Sequence, residues 1–411
     1  MNQLELLSPA GDFERLVMAV RYGADAVFLA GREYGMRAAS ANFDDDTLCR
    51  GIQYAHENGA RVYVTCNTLP REDELKRLPE YLEFLQDAQA DALIIADLGV
   101  MAMAKKYAPK VARHVSTQLG VINSATANML FDLGADTVVL ARETPLEDIR
   151  KIRANTPKEL RLEAFVHGAM CVSFSGRCLL SNYLADRDAN RGQCAQPCRW
   201  RYHLVEEKRP GEYMEITEDN GTFILNSNDM RMIEHLPELI DAGVGSFKIE
   251  GRMKSEYYIA QVVKTYRRLI DEIYASNAPL SAERLAYYDN ELSKAENRPA
   301  DDGFLSGDCD NTKHLYGING SGVTHDYVAI VRNYDANRGL ALIEVKNKFM
   351  IGDELEAFGP KLDNTIFVNR LMFNDEWKNI EVANKPTELL YLRLPFVVNR
   401  DDMIRKVHSE E

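Results

Sequence analysis

One pattern of polar and apolar positions recurs between Arg21 and Glu250. A stretch with helical periodicity ends at small residues, often glycine, and an apolar run follows. The copies are Arg21–Ala30, Glu57–Thr65, Gln89–Asp97, Leu133–Arg142 and, more weakly, Asp241–Glu250. Glycine after a helix adopts the left-handed cap conformation without strain. A continuous apolar run is typical of a parallel strand buried on both faces. The pattern therefore predicts alternating helices and buried strands.

Three further apolar runs bring the predicted strands to eight: Leu4–Leu7, Ala112–Thr117 and Leu160–His167. Predicted helices separate most of them: Asp45–Glu57, Glu72–Gln86, Asn123–Leu133 and Pro145–Arg153. Regular alternation of strand and helix implies parallel pairing. We therefore predict an α/β fold with a (β/α)8 TIM-type barrel over residues 1–290, and an open doubly wound sheet is the alternative. An insertion over residues 168–230 precedes the last strand and contains most of the cysteines.

The pattern changes after a predicted helix at Ser255–Ala275. The chain becomes polar and contains prolines, and we interpret residues 291–325 as a connector. Short apolar runs separated by turn residues follow: Tyr327–Val331, Leu340–Val345, Asp353–Phe358, Thr365–Val368 and Leu389–Leu394. This pattern predicts a small antiparallel β-barrel domain over residues 326–411.

The composition indicates an ordinary folded protein: 45% of the 411 residues are hydrophobic and 27% are charged. The sequence contains no apolar run long enough to span a membrane, and its first residues have no basic flank or apolar core typical of an export signal. Seven cysteines, an odd number, argue against a disulfide framework and for a reducing compartment. We therefore expect a cytoplasmic protein without a membrane contact. The sequence does not indicate an oligomeric state.

The net charge is −14, from 49 Lys and Arg against 63 Asp and Glu. Proteins that bind nucleic acid with their whole surface are basic, because neutralising phosphates drives that binding. The charge therefore disfavours nucleic acid as a default partner, although a local basic patch remains compatible with it.

Four of the seven cysteines lie close together in the sequence. Cys171, Cys178, Cys194 and Cys198 follow the spacing C-x6-C-x15-C-x3-C. Three interpretations compete: a metal or iron–sulfur site, a redox disulfide pair, or unrelated packing residues. Zinc usually binds closely spaced cysteine pairs, whereas iron–sulfur clusters accept four thiolates at more varied spacing. The spacing favours a cluster, with zinc as the alternative.

Polar residues follow most of the predicted barrel strands, where the active sites of such barrels lie. They are Asn67, Asp97, Ser116, Gln118, Arg142, Glu163, His167, Lys248, Glu250 and Arg252. Each also has a structural interpretation: Asp97 suits a helix cap, and Glu163 suits an ion pair with a lysine of the barrel. Lys248 and Glu250 point to the same face of one strand and can neutralise each other. As a set beside the cysteines, we interpret them as a site.

The segment Glu163–Ser181 resembles the signature of the collagenase-like peptidases, peptidase family U32. The resemblance continues through most of the chain: Leu6–Asp12, Asn42–Phe43, Ser116–Gln118, Leu140–Glu143, Lys248–Ser255 and Lys346–Glu356. Within the family, the chain looks like the branch that modifies tRNA. This resemblance implies an enzyme that converts the wobble uridine of certain tRNAs to 5-hydroxyuridine, using prephenate and not molecular oxygen. It also implies the anticodon region of tRNA as a partner and a [4Fe–4S] cluster on Cys171, Cys178, Cys194 and Cys198.

The implied activity suggests roles for the residues at the strand ends. A dicarboxylate such as prephenate needs paired cations, and Arg142, Lys248 and Arg252 are candidates. His167 is the candidate for proton transfer because the pKa of histidine is ordinarily near neutrality. The remaining assignments are Glu163, Lys248 and Glu250 as catalytic residues and Asn67, Asp97 and Gln118 as substrate-binding residues.

RNA contact is predicted in the insertion. Between Cys171 and His203, five arginines outnumber the two acidic residues, Asp186 and Asp188, and alternate with aromatic residues on which bases can stack. These residues are Arg177, Arg187, Arg191, Arg199, Trp200, Arg201 and Tyr202. The alternative is a solvated insertion with one buried tryptophan.

Two other classes of function stay open. The chain has neither an H-E-x-x-H zinc helix nor a G-x-S-x-G elbow, and His56–Glu57 lacks the second histidine. A serine peptidase that uses Ser175 or Ser181 is nevertheless compatible with the sequence. The third possibility is a noncatalytic RNA-binding factor with a structural cluster.

Overall fold

The computed structural model describes residues 4–36, 42–171, 178–189, 193–200, 204–205, 213–214, 228–276, 279–295, 299–307 and 324–407. The strands before the C-terminal domain are β1 Glu5–Pro9, β2 Ala26–Leu29, β3 Arg61–Cys66, β4 Ala92–Ile95, β5 Ala112–Val115, β6 Thr137–Val139, β7 Arg161–Ala169, β8 Leu204–Val205, β9 Tyr213–Met214, β10 Asp229–Arg231, β11 Ser246–Ile249 and β12 Ala300–Asp301. The helices are α1 Phe13–Arg21, α2 Asp45–Glu57, α3 Glu72–Leu75, α4 Leu78–Asp87, α5 Leu98–Tyr107, α6 Ser124–Asp132, α7 Leu146–Ala154, α8 Leu180–Ala185, α9 Leu236–Asp241, α10 Glu256–Ala275 and α11 Ala282–Ser293.

Strands β1 to β7 and β11 form a closed parallel barrel. They pair in chain order, and β11 closes the barrel by pairing in parallel with both β1 and β7. The apolar runs bury the strands between interior side chains and the surrounding helices, with Leu6, Val64 and Phe247 almost wholly inaccessible. The predicted (β/α)8 TIM-type barrel is confirmed.

Several helices begin at a residue whose side chain caps them. Asp12, Asp44 and Asp97 accept hydrogen bonds from the backbone N–H three residues later, at the starts of α1, α2 and α5. Such caps satisfy backbone donors that have no partner inside the helix. Several helices end at a residue followed by glycine with positive φ, including Gly23 and Gly134. The helices are thereby limited to the length that one barrel unit requires.

The insertion places β10 beside the barrel. This strand runs antiparallel to β7, with Met230 opposite Gly168, and pairs on its other side with β12. Helix α8 and a 3-10 turn at Pro197–Arg199 lie in the same insertion. The region that contains the cysteines is thus attached to the carboxyl end of β7.

The C-terminal domain is an antiparallel half-barrel, which confirms the predicted class of domain. Its strands are β13 His325–Asp335, β14 Leu340–Val345, β15 Phe349–Met350, β16 Glu354–Phe358, β17 Thr365–Val368, β18 Met372–Phe373, β19 Val382–Ala383, β20 Leu389–Arg393 and β21 Met403–Val407. The seven strands of its main sheet follow the order β17-β16-β21-β13-β14-β20-β18. The sequence analysis did not predict β21, which lies inside this sheet.

Helix α10 joins the two domains. Arg405 of β21 is wholly buried and donates hydrogen bonds to Glu356 Oε2 at 2.8 Å and to Gln261 Oε1 of α10 at 2.9 Å. Helix α11 packs on α10 through Tyr288 and Leu292. Among the described residues, no helix combines the length and the apolar character that crossing a membrane requires.

Candidate functional site

A cavity of about 210 Å³ opens at the carboxyl ends of the barrel strands. Its walls contain apolar and aromatic side chains of the barrel and polar residues that follow the strands. The lining includes eleven of the residues predicted from the sequence: Asn67, Ser116, Gln118, Arg142, Cys171, Cys178, Cys194, Cys198, Lys248, Glu250 and Arg252. The structure therefore brings the two predicted groups, thiols and strand-end polar residues, to one place.

The four thiols come from different parts of the insertion. Cys171 follows the end of β7, and Cys178 precedes α8. Cys194 lies three residues before the 3-10 turn, and Cys198 lies within it. The backbone N–H of Gln196 donates to Cys194 Sγ at 3.3 Å. Across the described ranges of the chain, no three His, Cys, Asp or Glu side chains are arranged to hold a metal ion.

Ser181 joins the two halves of this cysteine region. Its side chain is wholly buried on α8, and its Oγ accepts a hydrogen bond of 2.9 Å from the Ala195 N–H. This bond connects the helix after Cys178 to the segment between Cys194 and Cys198. The position gives Ser181 a structural role. Ser175, the other serine considered as a nucleophile, lies outside the described residues.

Arg142 lies between the barrel wall and the cavity. Its guanidinium is 4.0 Å from the ring centre of Phe165 and donates to the Ala169 carbonyl at 2.8 Å. One nitrogen also lies 3.7 Å from Glu250 Oε2. These contacts fix the plane of the guanidinium, which is the geometry that a carboxylate ligand requires.

Lys248 is held at the floor of the cavity by Glu163. Its Nζ donates to Glu163 Oε1 at 2.8 Å, and both side chains are at least 95% buried. The ammonium also lies 4.6 Å from the ring centre of Phe28. Glu163 therefore lies behind the residues that line the cavity, where it neutralises Lys248. An ion pair with a lysine of the barrel was the structural interpretation of Glu163 from the sequence.

Arg252 and Asn67 connect the site to the loop after β2. Arg252 is buried and donates to the Met36 carbonyl and to Asn42 Oδ1, both at 2.7 Å. Asn67 Oδ1 accepts from the Met36 N–H at 3.0 Å. Both residues thus position the backbone near Met36 in addition to lining the cavity.

Gln118 belongs to a short 3-10 turn after β5. Its side-chain Oε1 accepts a hydrogen bond of 3.2 Å from the Ser116 hydroxyl. The turn ends at Gly120, which has φ of +67°. Gln118 therefore presents an amide group to the cavity from a position set by Ser116.

Besides Glu163, two residues predicted from the sequence lie outside the cavity lining. Asp97 caps α5 by accepting from the Val100 N–H at 2.9 Å, and it does not line the cavity. His167 is buried beside α10, with its ring centre 5.8 Å from that of Tyr258 and 5.6 Å from that of Tyr266. Burial, with nearby Arg231 adding to it, lowers the pKa of His167 to about 3. This ring is neutral at physiological pH and is not part of the cavity lining.

Thr65 is a lining residue that was not predicted from the sequence. This residue lies in β3 two positions before Asn67, is 3% exposed, and lines the cavity. Its Oγ1 has no hydrogen-bond partner among the described residues. A buried hydroxyl without a partner can form a hydrogen bond with a ligand. The signal in the sequence was a polar residue inside an apolar run, two positions from Tyr63 and two from Asn67. This spacing places the three side chains on one face of the strand.

The charged residues that line the cavity favour an anionic ligand. In the described part of the chain these are three cations, Arg142, Lys248 and Arg252, and one carboxylate, Glu250. A low-dielectric wall that includes Phe28 and Phe165 strengthens their field.

The predicted RNA contacts of the insertion lie partly outside the described residues. This applies to Arg177, Arg191, Arg201 and Tyr202, and to the side chain of Arg199. Of the remainder, Arg187 is exposed and Trp200 is 42% exposed.

Comparison with known proteins identifies the family. Residues 11–315 match the model described as Peptidase family U32, and residues 323–405 match the model described as Peptidase family U32 C-terminal domain. The tRNA hydroxylation protein P1 of Bacillus subtilis is 36% identical over 404 residues, which cover 98% of this chain and 94% of that protein. The tRNA hydroxylation protein P of Escherichia coli is 34% identical over 441 residues, with 96% and 94% covered. The collagenase of Porphyromonas gingivalis is 33% identical over 374 residues, with 88% and 87% covered. The chain therefore belongs to peptidase family U32.

Proposed function

We propose that this chain is a tRNA-modifying enzyme that hydroxylates the wobble uridine to 5-hydroxyuridine, with prephenate as co-substrate and a [4Fe–4S] cluster. The observation that carries the proposal is that four thiols share one cavity with three cations and several amide and hydroxyl groups. Relatives that match almost the whole chain are named as tRNA hydroxylation proteins. Together these observations favour RNA hydroxylation over the other activities of the family.

Cys171, Cys178, Cys194 and Cys198 are the residues that would hold the cluster. The thiols match in number and kind the four cysteine thiolates that an iron–sulfur cluster binds, and all four line the same cavity, but no three of them are arranged in this structure to hold a metal ion. The N–H that donates to Cys194 Sγ adds a hydrogen bond of the kind that adjusts cluster potentials. A bound cluster would supply electron transfer, which hydroxylation of a uridine requires as an oxidation. Zinc on the same thiols is the alternative.

The residues of the chain bind and orient the substrates. Arg142 and Arg252 provide guanidinium groups for the carboxylates of prephenate, and Lys248 Nζ presents a proton at the cavity floor. Thr65, Asn67 and Gln118 offer hydroxyl and amide groups to the edge of a uracil ring. A stacked base cannot enter such a cavity, so the wobble nucleotide has to turn out of the anticodon stack.

Nucleoside analysis of tRNA tests the activity. Mass spectrometry of tRNA from cells with and without the gene should show 5-hydroxyuridine derivatives only where the gene is present. Cells that lack redundant pathways are required, and complementation with Cys198→Ser should fail to restore the modification. Unchanged 5-hydroxyuridine derivatives in the deletion strain would contradict the assignment.

Anaerobic purification tests the cluster. The protein should be brown and contain iron and sulfide, and Cys171→Ser should lose both. Cys49→Ser is the matched control, because Cys49 is an exposed cysteine on α2 away from the cavity lining. A colourless protein with stoichiometric zinc would support the alternative metal.

The peptidase alternative is supported by the similarity to a collagenase. It predicts that the purified protein cleaves a denatured protein and that Ser175→Ala abolishes the cleavage. Because Ser181 has a buried structural role, Ser181→Ala does not test this alternative.

A further inference from the structure

The main sheet of the half-barrel ends at β17, which pairs with a neighbour on one side only. Its register with β16 places Ile366 opposite Glu356 and Val368 opposite Glu354, and no strand of the described chain pairs with its other side. The opposite edge of the sheet is β18, which is two residues long. Strand β17 is therefore the longer free edge, and such an edge is a template for pairing with another strand.

The backbone of β17 directs hydrogen-bonding groups outward at two residues. The Asn369 N–H donates to the Asp353 carbonyl at 2.9 Å, and the Asn369 carbonyl accepts from the Gly352 N–H at 2.8 Å, so Asn369 faces β16. In an antiparallel ladder, successive residues direct these groups to alternate sides. The N–H and C=O groups of Ile366 and Val368 therefore point away from β16, where they have no partner among the described residues.

The same two residues expose apolar side chains. Ile366 is 62% exposed and Val368 is 47% exposed, whereas Phe367 between them packs in the core of the half-barrel. Natural edge strands are commonly protected by lysine, proline or a bulge. Strand β17 contains neither lysine nor proline, and its register with β16 is unbroken. This edge favours a partner strand that also presents apolar side chains.

A second copy of β17 matches the edge. Antiparallel pairing centred on Phe367 places Ile366 of one copy opposite Val368 of the other, and the reverse pair follows by symmetry. These are the residues whose N–H and C=O groups point outward, so each pair exchanges both of its backbone hydrogen bonds. The pairing also brings the exposed apolar side chains together on one face of the joined sheet.

Charges at the two ends of the strand favour the same orientation. Asp363 precedes β17 and Arg370 follows it, and both side chains are exposed. Asp363 pairs with Arg268 of the same chain, whereas Arg370 forms no ion pair with a described residue. Antiparallel pairing brings Asp363 of one copy near Arg370 of the other at both ends of the contact. Parallel pairing would instead bring like charges together, which is unfavourable.

We propose that two copies of this chain associate through β17 as a two-fold symmetric dimer, in which the two main sheets join into one. A contact of this kind uses the same surface on both copies. One strand edge buries less area than the interface of a permanent dimer, so the association depends on protein concentration. The proposal is independent of the proposed function, because the residues that line the cavity take no part in the contact.

Sedimentation velocity of the full-length protein from about 1 to about 100 µM tests the dimer, since weak complexes form in this range. The wild-type protein should shift from the mass of one chain toward that of two as the concentration rises. The double variant Ile366→Lys with Val368→Lys should remain a single chain, because pairing would place lysines opposite each other. Both positions are exposed, and circular dichroism should show an unchanged fold.

The matched control is Leu389→Lys with Val382→Lys, which adds the same charge to the same domain. Leu389 and Val382 are exposed and lie on β20 and β19, away from β17. This variant should dimerise with a dissociation constant within about twofold of the wild-type value, as expected for surface substitutions outside a contact. A wild-type protein that sediments as one chain at every concentration, or a dimer that the β17 lysines do not weaken, would overturn the proposal.

An exchange of charges tests the orientation of the two strands. Arg370→Asp brings two carboxylates together at each end of the contact and should weaken association at least about threefold. The double variant Arg370→Asp with Asp363→Arg exchanges the two charges and should recover most of the lost affinity. Failure to recover would reject the antiparallel pairing.

Discussion

Lys248 Nζ and Glu163 Oε1 form a 2.8 Å ion pair inside the barrel, directly below the candidate site. The Ser246 hydroxyl lies 3.2 Å from the other oxygen of Glu163 and 2.8 Å from Glu5 Oε1. Taking two charges out of water is costly, and the cost is offset only when each keeps its partner. The pair therefore fixes a cation at the cavity floor.

We predict that Glu163→Gln destabilises the protein by about 3–5 kcal/mol, because it leaves the Lys248 ammonium buried without a carboxylate. Urea unfolding followed by circular dichroism measures this change. The double variant Glu163→Gln with Lys248→Met should regain much of the lost stability, since it also removes the buried charge, but it should lack modification activity.

The control for this prediction is Lys76→Ala. Lys76 pairs with Asp73 at 2.7 Å, but both side chains are largely exposed, so the pair contributes little. Equal stabilities of Glu163→Gln and Lys76→Ala would show that the buried pair does not support the barrel.

Gly168 is predicted to be essential for the position of Glu250. It has φ of +111°, and a Cβ at this residue would lie 2.5 Å from the Glu250 carbonyl oxygen. Gly168→Ala should therefore shift the end of β11 and abolish modification. Gly59→Ala provides the control, because Gly59 has φ of +78° with no atom within 4 Å of the added Cβ. Both variants carry a backbone cost of about 1–2 kcal/mol, and only the first should lose activity.

Much of the fold followed from local patterns. Helix α2 was predicted with its observed bounds, because Asp44 caps it and its apolar residues have helical spacing. Strand β21 was missed because Arg405 is buried at its centre, where a sequence pattern assigns charged residues to the surface. Helix α11 was assigned to a polar stretch, since only Tyr288 and a few neighbours reveal the face that packs on α10.

The part of the site that lies at the ends of the barrel strands was predictable from the sequence. Residues such as Asn67 and Arg142 follow apolar runs, and in a closed barrel all such positions meet at one mouth. His167 is an exception, because it follows an apolar run but does not line the cavity. The pairing of β7 with β11 shifts register between Lys248 and Ile249, and the irregularity alters which side chains face the cavity. A bulge of this kind leaves no local signal in the sequence.

His167 gives a prediction about pH. Its pKa in the folded protein is lowered to about 3, whereas the unfolded chain takes up a proton near pH 6.5. Stability is complete above that pH and falls as pH decreases, by up to about 1.4 kcal/mol per pH unit, because the unfolded state binds the extra proton. His167→Gln should make the urea unfolding free energy less dependent on pH between about pH 6.5 and pH 5.

His114→Gln is the matched variant, because burial also lowers the pKa of His114 to about 3 and this ring lines a different cavity at the opposite end of the barrel. Both variants should show the reduced pH dependence. Since His167 does not line the candidate site, we expect both to modify tRNA. Loss of modification in His167→Gln alone, with normal stability, would establish the proton-transfer role inferred from the sequence.

Arg142 should determine the affinity for the proposed co-substrate, prephenate. Its guanidinium is fixed by Phe165 and by the Ala169 carbonyl, so that a planar group of N–H donors lines the cavity. Lysine keeps the charge but cannot donate two parallel hydrogen bonds to a carboxylate or stack on Phe165. Arg142→Lys should therefore raise the KM for prephenate at least about tenfold. Steady-state kinetics with saturating tRNA measures this value.

Arg32→Lys is the control, because Arg32 is exposed and pairs with Asp44 outside the cavity. An unchanged KM for prephenate in Arg142→Lys would place the carboxylate site elsewhere in the cavity, with Arg252 as the next residue to vary.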